Sequence, residues 1–177
     1  MGLMRNIVIV EYSTEWPGAF AREARVLNDA LGSVLVASYH VGSTSVPGLA
    51  SKPIIDIMLV VRGLKELDAC NDAMRGIGYE AKGEFGIAGR RFFSKGGDAN
   101  RSHHVHAYEA EHPEVAAHLD FRDYLRAWPE RAIEYAELKA KLAVQYRNDI
   151  EAYVAGKEPL ILEILADARR WRERGAV

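Results

Sequence analysis

The eight residues Ile54-Ile55-Asp56-Ile57-Met58-Leu59-Val60-Val61 form an apolar run interrupted by a single carboxylate. A run of that length and composition reads as a strand. Side chains alternate along a strand, so Ile55, Ile57, Leu59 and Val61 share one face, expected to be the core. Ile54, Asp56, Met58 and Val60 share the other. A buried carboxylate without a partner is costly, so Asp56 needs a cation, a metal or backbone N–H groups beside it.

The residues leading into this run supply such surroundings. A second apolar strand ends at His40-Val41 and passes into Gly42-Ser43-Thr44-Ser45, then through Lys52-Pro53 into the Asp56 strand. Gly42 offers backbone free of side-chain bulk, and Ser43 a hydroxyl and an N–H, the groups that receive a phosphate. Thr44 continues the same small polar turn. Lys52 precedes a proline and is therefore extended, close enough in sequence to neutralise phosphate. The Gly-Lys-Ser spacing of a Walker loop is absent. The alternative for Asp56 is structural: a carboxylate that caps the turn at residues 42–44.

Bulk properties narrow the class. The chain has 177 residues, one domain's worth on ordinary size priors, with a mixed-sheet part at 1–110 and a helical part at 111–177. Net charge is −2, which argues against non-specific nucleic-acid binding, since that needs a basic surface. One cysteine, Cys70, excludes an internal disulfide framework and suits a reducing, cytoplasmic setting. No stretch of 18 apolar residues exists to span a membrane, and Ile7–Val10 is too short for a signal core. Met1-Gly2 is followed by Asn6, not the Ser or Thr that a myristoylation site carries there.

The pattern along the chain predicts strands at 7–11, 35–41, 54–61, 91–94 and 104–108, with helices at 16–31 and 64–77 between them. After Pro113 the pattern is helical throughout. Tyr135, Leu138, Leu142, Tyr146, Ile150 and Tyr153 recur at gaps of three and four, predicting one long helix. Pro129 separates it from a shorter helix, and Pro159 is placed in the first turn of a last one. The expected class is α+β: a small mixed sheet with flanking helices and a C-terminal helical bundle.

The Gly-Ser turn, twelve intervening residues and then an Asp in an apolar strand resemble the nucleotidyltransferase superfamily that includes DNA polymerase beta. More closely, the chain is similar to the GrpB family. That resemblance rests on His40 to Ile57, Gly83-Glu84-Phe85-Gly86-Ile87-Ala88-Gly89-Arg90-Arg91-Phe92-Phe93, His104-Val105-His106, Leu119 to Arg126, Tyr135 to Lys139 and Tyr153 to Lys157. It implies a nucleotide or phosphorylated small molecule held with a divalent metal, and transfer of a nucleoside monophosphate to a small acceptor. One departure stands out. The superfamily's second carboxylate position is occupied by Met58, which cannot bind Mg²⁺, so a two-metal mechanism loses a ligand. A binding module that has lost catalysis is the competing reading.

His104 and His106 share a strand face, and the resemblance brings them beside Asp56. Two imidazoles and a carboxylate suit Zn²⁺ or Mn²⁺ better than Mg²⁺, and would also suit a metal-dependent hydrolase. A histidine acting as general base, or two solvent-facing histidines with no ligand, are the alternatives. Arg90 follows a glycine-rich turn and is shaped for bidentate phosphate binding, against a solvated hairpin face. Arg122 is a candidate to face the cleft from a helix. Lys139 is a candidate ligand contact, against an ordinary surface lysine.

Overall fold

The computed structural model describes residues 6–175; the Met1-Gly2 motif lies outside them. Five strands form one mixed sheet: β1 (Leu35–Val41), β2 (Ile55–Val61), β3 (Tyr79–Ala81), β4 (Arg91–Lys95) and β5 (His103–Glu109), in the order β1-β2-β5-β4-β3. The β2 and β5 strands run parallel, with Asp56 opposite His104 and Met58 opposite His106; the remaining pairs are antiparallel. Helices α1 (Trp16–Leu31), α2 (Leu64–Asp68) and α3 (Asn71–Gly76) cover one face, and α4 (Pro113–Ala127), α5 (Pro129–Gln145) and α6 (Ile150–Glu173) form the C-terminal bundle. This is the expected α+β class.

The strand alternation read from the sequence sets the two cores. Ile55, Ile57, Leu59 and Val61 pack with Leu27 and Leu31 of α1 and with Leu67, Met74 and Phe93. On the opposite face, Met58 is fully buried with Val41 and Tyr108 beneath Val115 and Leu119 of α4. A further cluster joins Val46 and Leu49, just after the Gly-Ser turn, to Leu125, Tyr135, Ile164 and Ala168. The loop between β1 and β2 is thereby clamped to all three helices of the bundle.

Several elements differ from their periodicity. Residues 7–11 make only a single bridge, Val10 with Ser51, and no strand. The 64–77 helix is broken at Ala69-Cys70, where Asp68 turns to accept from both the Nε and an Nη of Arg91, at 2.7 and 2.9 Å. The long stripe from Tyr135 to Tyr153 is two helices. The chain turns at 146–149, and Asp149 caps α6 by accepting from the Ala152 N–H at 3.0 Å, a role for which Asp is well suited. Pro159 then lies inside α6 instead of starting it. The short β3 strand gave no sequence signal. No helix among the described residues is long and apolar enough to cross a membrane.

Candidate functional site

Gly42 ends β1 with φ +70° and ψ −171°, a conformation open to glycine and strained for other residues. Its proximity to Asp56 is a second constraint: a Cβ there would lie 2.7 Å from Asp56 Oδ2. The turn that follows is braced from behind. Ser45 Oγ donates to the Gly42 carbonyl at 2.5 Å, and the Arg126 guanidinium donates twice to the Ser45 carbonyl, at 2.9 and 2.7 Å. Thr44 is buried against the His40 ring, with Oγ1 2.9 Å from Nε2, and the ring itself stacks on Phe20. Burial pulls the His40 imidazole down to about 4, with nearby Arg126 and Arg122 pushing the same way and Asp56 opposing.

In front of the turn is a cavity of about 220 Å³. Gly42, Ser43, Lys52, Asp56, His104 and Lys139 all line it, so six of the residues singled out from the sequence converge. The helical bundle adds Tyr135, Tyr153 and Lys157. Lys139 Nζ donates to the Ala50 carbonyl at 2.7 Å and lies 4.8 Å from the Tyr135 ring centre; Lys157 and Lys52 lie 4.6 and 5.4 Å from the Tyr153 ring. Ammonium groups over aromatic faces are held there by the ring quadrupole. Tyr135 and Ser43 line the same cavity, so the bundle meets the turn there.

Three ammonium groups thus face one carboxylate, in a chain whose overall charge is slightly negative. Burial, with Lys157 and Lys52 nearby, draws Lys139 down to about 7; burial, with Lys52 nearby, draws Lys157 down to about 8. Asp56 offsets part of both shifts. Such a cluster is a strong attractor for a polyanion.

The Asp56 carboxylate is held by the two histidines. His104 Nδ1 is 3.4 Å and His106 Nε2 3.3 Å from the same oxygen, Oδ1. Burial raises this carboxyl, but the hydrogen bonds from His104 and His106 outweigh it and keep it well below the usual carboxylate range. The outer nitrogens meet arginines: His104 Nε2 is 3.4 Å from an Arg101 Nη, and His106 Nδ1 is 3.4 Å from an Arg90 Nη. A guanidinium can only donate, so each outer nitrogen accepts. The hydrogen-bond network therefore assigns each ring proton to the nitrogen facing Asp56.

That assignment bears on a metal. A histidine ligand needs its lone pair toward the ion and usually gives its other N–H to an acceptor; here the polarity is reversed on both rings. Among the described residues no three His, Cys, Asp or Glu side chains form a metal-holding group. Met58, at the second carboxylate position, is enclosed in the apolar cluster with no path to the cavity. The donor set present does not fit a divalent ion held by Asp56 with His104 and His106, and it offers neither ring as a general base at Asp56.

The remaining sequence candidates lie outside the cavity. Arg90 is buried, donating to the Glu84 carbonyl at 3.1 Å and the Phe85 carbonyl at 2.5 Å, so it fastens the 83–90 turn beside His106. Arg122 donates to Asp123 at 2.8 Å and to the His40 carbonyl at 3.2 Å. Thr44 supports the turn from its rear. The sequence reading placed Tyr135, Tyr153 and Lys157 in the family-like segments but gave none of them a site role. Their signal was present as a repeated Tyr-x-x-x-Lys spacing, Tyr135–Lys139 and Tyr153–Lys157, which puts each pair on one helix face.

Comparison with known proteins identifies the family and the fold. The family described as GrpB protein matches residues 6–167. The UPF0157 protein YqkA of Bacillus subtilis is 44% identical over 169 residues; the match covers 96% of this chain but 49% of that protein, so the chain spans about half the relative's length. The crystal structure of the conserved protein GrpB from Enterococcus faecalis superposes with a TM-score of 0.88 at 39% identity, covering 93% of this chain and 99% of that one. A terminal uridylyl transferase from Trypanosoma brucei, solved with bound GTP, aligns at TM-score 0.50 and 18% identity over 88% of this chain and 50% of its own, a likeness of fold. With a nucleotidyltransferase-like sheet and a family match across nearly its whole length, the chain belongs to the GrpB family.

Proposed function

We propose that this protein binds a phosphate-rich small molecule through its lysine cluster, and that it does so without a protein-held divalent ion. The observation that carries this reading is the meeting of Lys52, Lys139 and Lys157 with Ser43 around one small cavity. In nucleotidyl transfer, carboxylate-bound metals neutralise the polyphosphate. Here the second carboxylate is a buried methionine, and the histidines are turned to donate. Ammonium groups take over the neutralising role. Asp56 acts as their counter-ion, and its histidine bonds keep it ionised and fixed beside Gly42. This favours a binding module over an enzyme that transfers a nucleoside monophosphate.

Calorimetric titration with inorganic tripolyphosphate in EDTA tests it. The reading expects binding without metal, weakened in Lys139→Met and in Lys157→Met, and retained or tightened in Asp56→Asn, where a repelling charge is removed. Binding that requires Mg²⁺, Mn²⁺ or Zn²⁺ and disappears in Asp56→Asn would overturn it in favour of a metal-dependent nucleotidyltransferase site.

A further inference from the structure

Phe85 has two unfavourable features at once. It is the single non-glycine residue with positive φ among the described residues, at +47°, and its side chain is 62% exposed. Left-handed backbone is strained for a bulky side chain, and an exposed large aromatic ring forgoes burial; together they invite a functional explanation. The conformation is enforced. The buried Arg90 guanidinium donates to the carbonyls of both Glu84 and Phe85, and Glu84 accepts from the Gly89 N–H at 2.9 Å. One face of the Phe85 ring stacks on Phe92, with centroids 5.0 Å apart and planes 12° from parallel. Phe92 in turn lies 5.3 Å from the His104 ring, which bonds Asp56. The other Phe85 face is presented to solvent at the end of this aromatic row.

The row borders a groove of about 780 Å³, lined by Phe85, Phe92 and Val154 among others. This groove and the lysine cavity share Lys52, Ile54 and His104, so the two are continuous. At about 220 Å³ the lysine cavity is below the roughly 300–1,000 Å³ of sites that enclose a whole small molecule, whereas the groove is within that range. A ligand with its phosphates on the lysines must project its remainder into the groove. Resting on the phosphate-binding reading above, we infer that this remainder is a planar base and that the ligand is a nucleotide, its base stacked on the open face of Phe85. Arg90 is then a positioning residue, holding the platform without touching ligand.

The test compares ATP with tripolyphosphate in EDTA, on the wild type, Phe85→Ala and Phe85→Leu. A stacked base is expected to make ATP bind tighter than tripolyphosphate. Phe85→Ala and Phe85→Leu should weaken ATP by about 10-fold to 100-fold, the scale of base–aromatic stacking, while leaving tripolyphosphate unchanged. Phe85→Trp should restore ATP binding. Tripolyphosphate binding with ATP no tighter, or ATP affinity unmoved by Phe85→Ala, refutes the stacking platform and leaves the lysine site standing. Equal weakening of both ligands in Phe85→Ala also refutes it, as damage to the loop. Failure of the wild type to bind either ligand removes the phosphate reading itself.

Discussion

Lys139 is about 2% exposed, surrounded by tyrosine and flanked by two other lysines, and it loses its proton near pH 7 in the free protein. A bound polyphosphate reverses the balance: with anionic oxygens beside it, the ammonium form is again favoured. Ligand binding above neutral pH must therefore take up protons, and affinity must fall as pH rises. With ATP as the ligand, the phosphates are already ionised between pH 7.5 and 9.5, so the change comes from the protein. Over that interval the charged fraction of Lys139, titrating at about 7, drops about 80-fold, and that of Lys157, at about 8, drops about 25-fold. If both are recharged on binding, affinity weakens by roughly 2,000-fold, or about 4.6 kcal/mol at 1.4 kcal/mol per decade. Isothermal titration in two buffers of different ionisation enthalpy measures the uptake, expected to approach about two protons at pH 9. Lys139→Met should remove one of the two and flatten the profile. An affinity that stays level from pH 7.5 to 9.5, with no buffer dependence of the heat, refutes the argument that these lysines are the anion's partners.

Gly42→Ala forces a side chain into strained backbone and to within 2.7 Å of Asp56 Oδ2, so it should cost at least about 2 kcal/mol and lower the melting temperature by about 5 °C; an unchanged melting curve contradicts this. Met58→Asp, the change that restores the superfamily's second acid, buries a charge among Val41, Tyr108 and Leu119 and should destabilise by about 3–5 kcal/mol in urea unfolding, without conferring Mg²⁺-dependent transfer. Acid should weaken the fold in a defined window. His40 titrates at about 4 when folded and 6.5 when unfolded, so the unfolded chain binds the extra proton between those values. Its contribution is complete above pH 6.5 and declines by up to about 3 kcal/mol as pH falls to 4; denaturant midpoints across that range, compared with His40→Gln, check the sign.

Much of the fold was legible locally. The strand at 35–41 and the helix at 16–31 coincide with their patterns because each has one face against a core, and burial enforces the period. Elements that failed were those whose ends depend on contacts elsewhere. The stripe from Tyr135 to Tyr153 keeps helical spacing across a break, since both helices bury tyrosines against the same loop and cavity; the stop comes from the Asp149 cap, a weaker signal than the stripe. In the site, Asp56, Gly42 and Ser43 were readable because their chemistry is conspicuous in an apolar setting. Lys157 was not given a role, although Tyr153–Lys157 repeats the Tyr135–Lys139 spacing, because only packing of α6 turns that face onto the cavity.

From the residues alone came the sheet-forming runs and the glycine turn opposite a solitary acid, which follow from strand alternation and the freedom of a residue without Cβ; the missing second acid at Met58 came from the resemblance to the nucleotidyltransferase superfamily. Folding in three dimensions settled the rest. It brought Lys139 and Lys157 from two helices onto one cavity, and it placed arginines behind both histidines so that their protons point at Asp56. Charge clustering depends on which helices pack over the β1–β2 loop, and tautomer choice on how the chain folds Arg90 and Arg101 back behind the histidines, and no local pattern records such meetings.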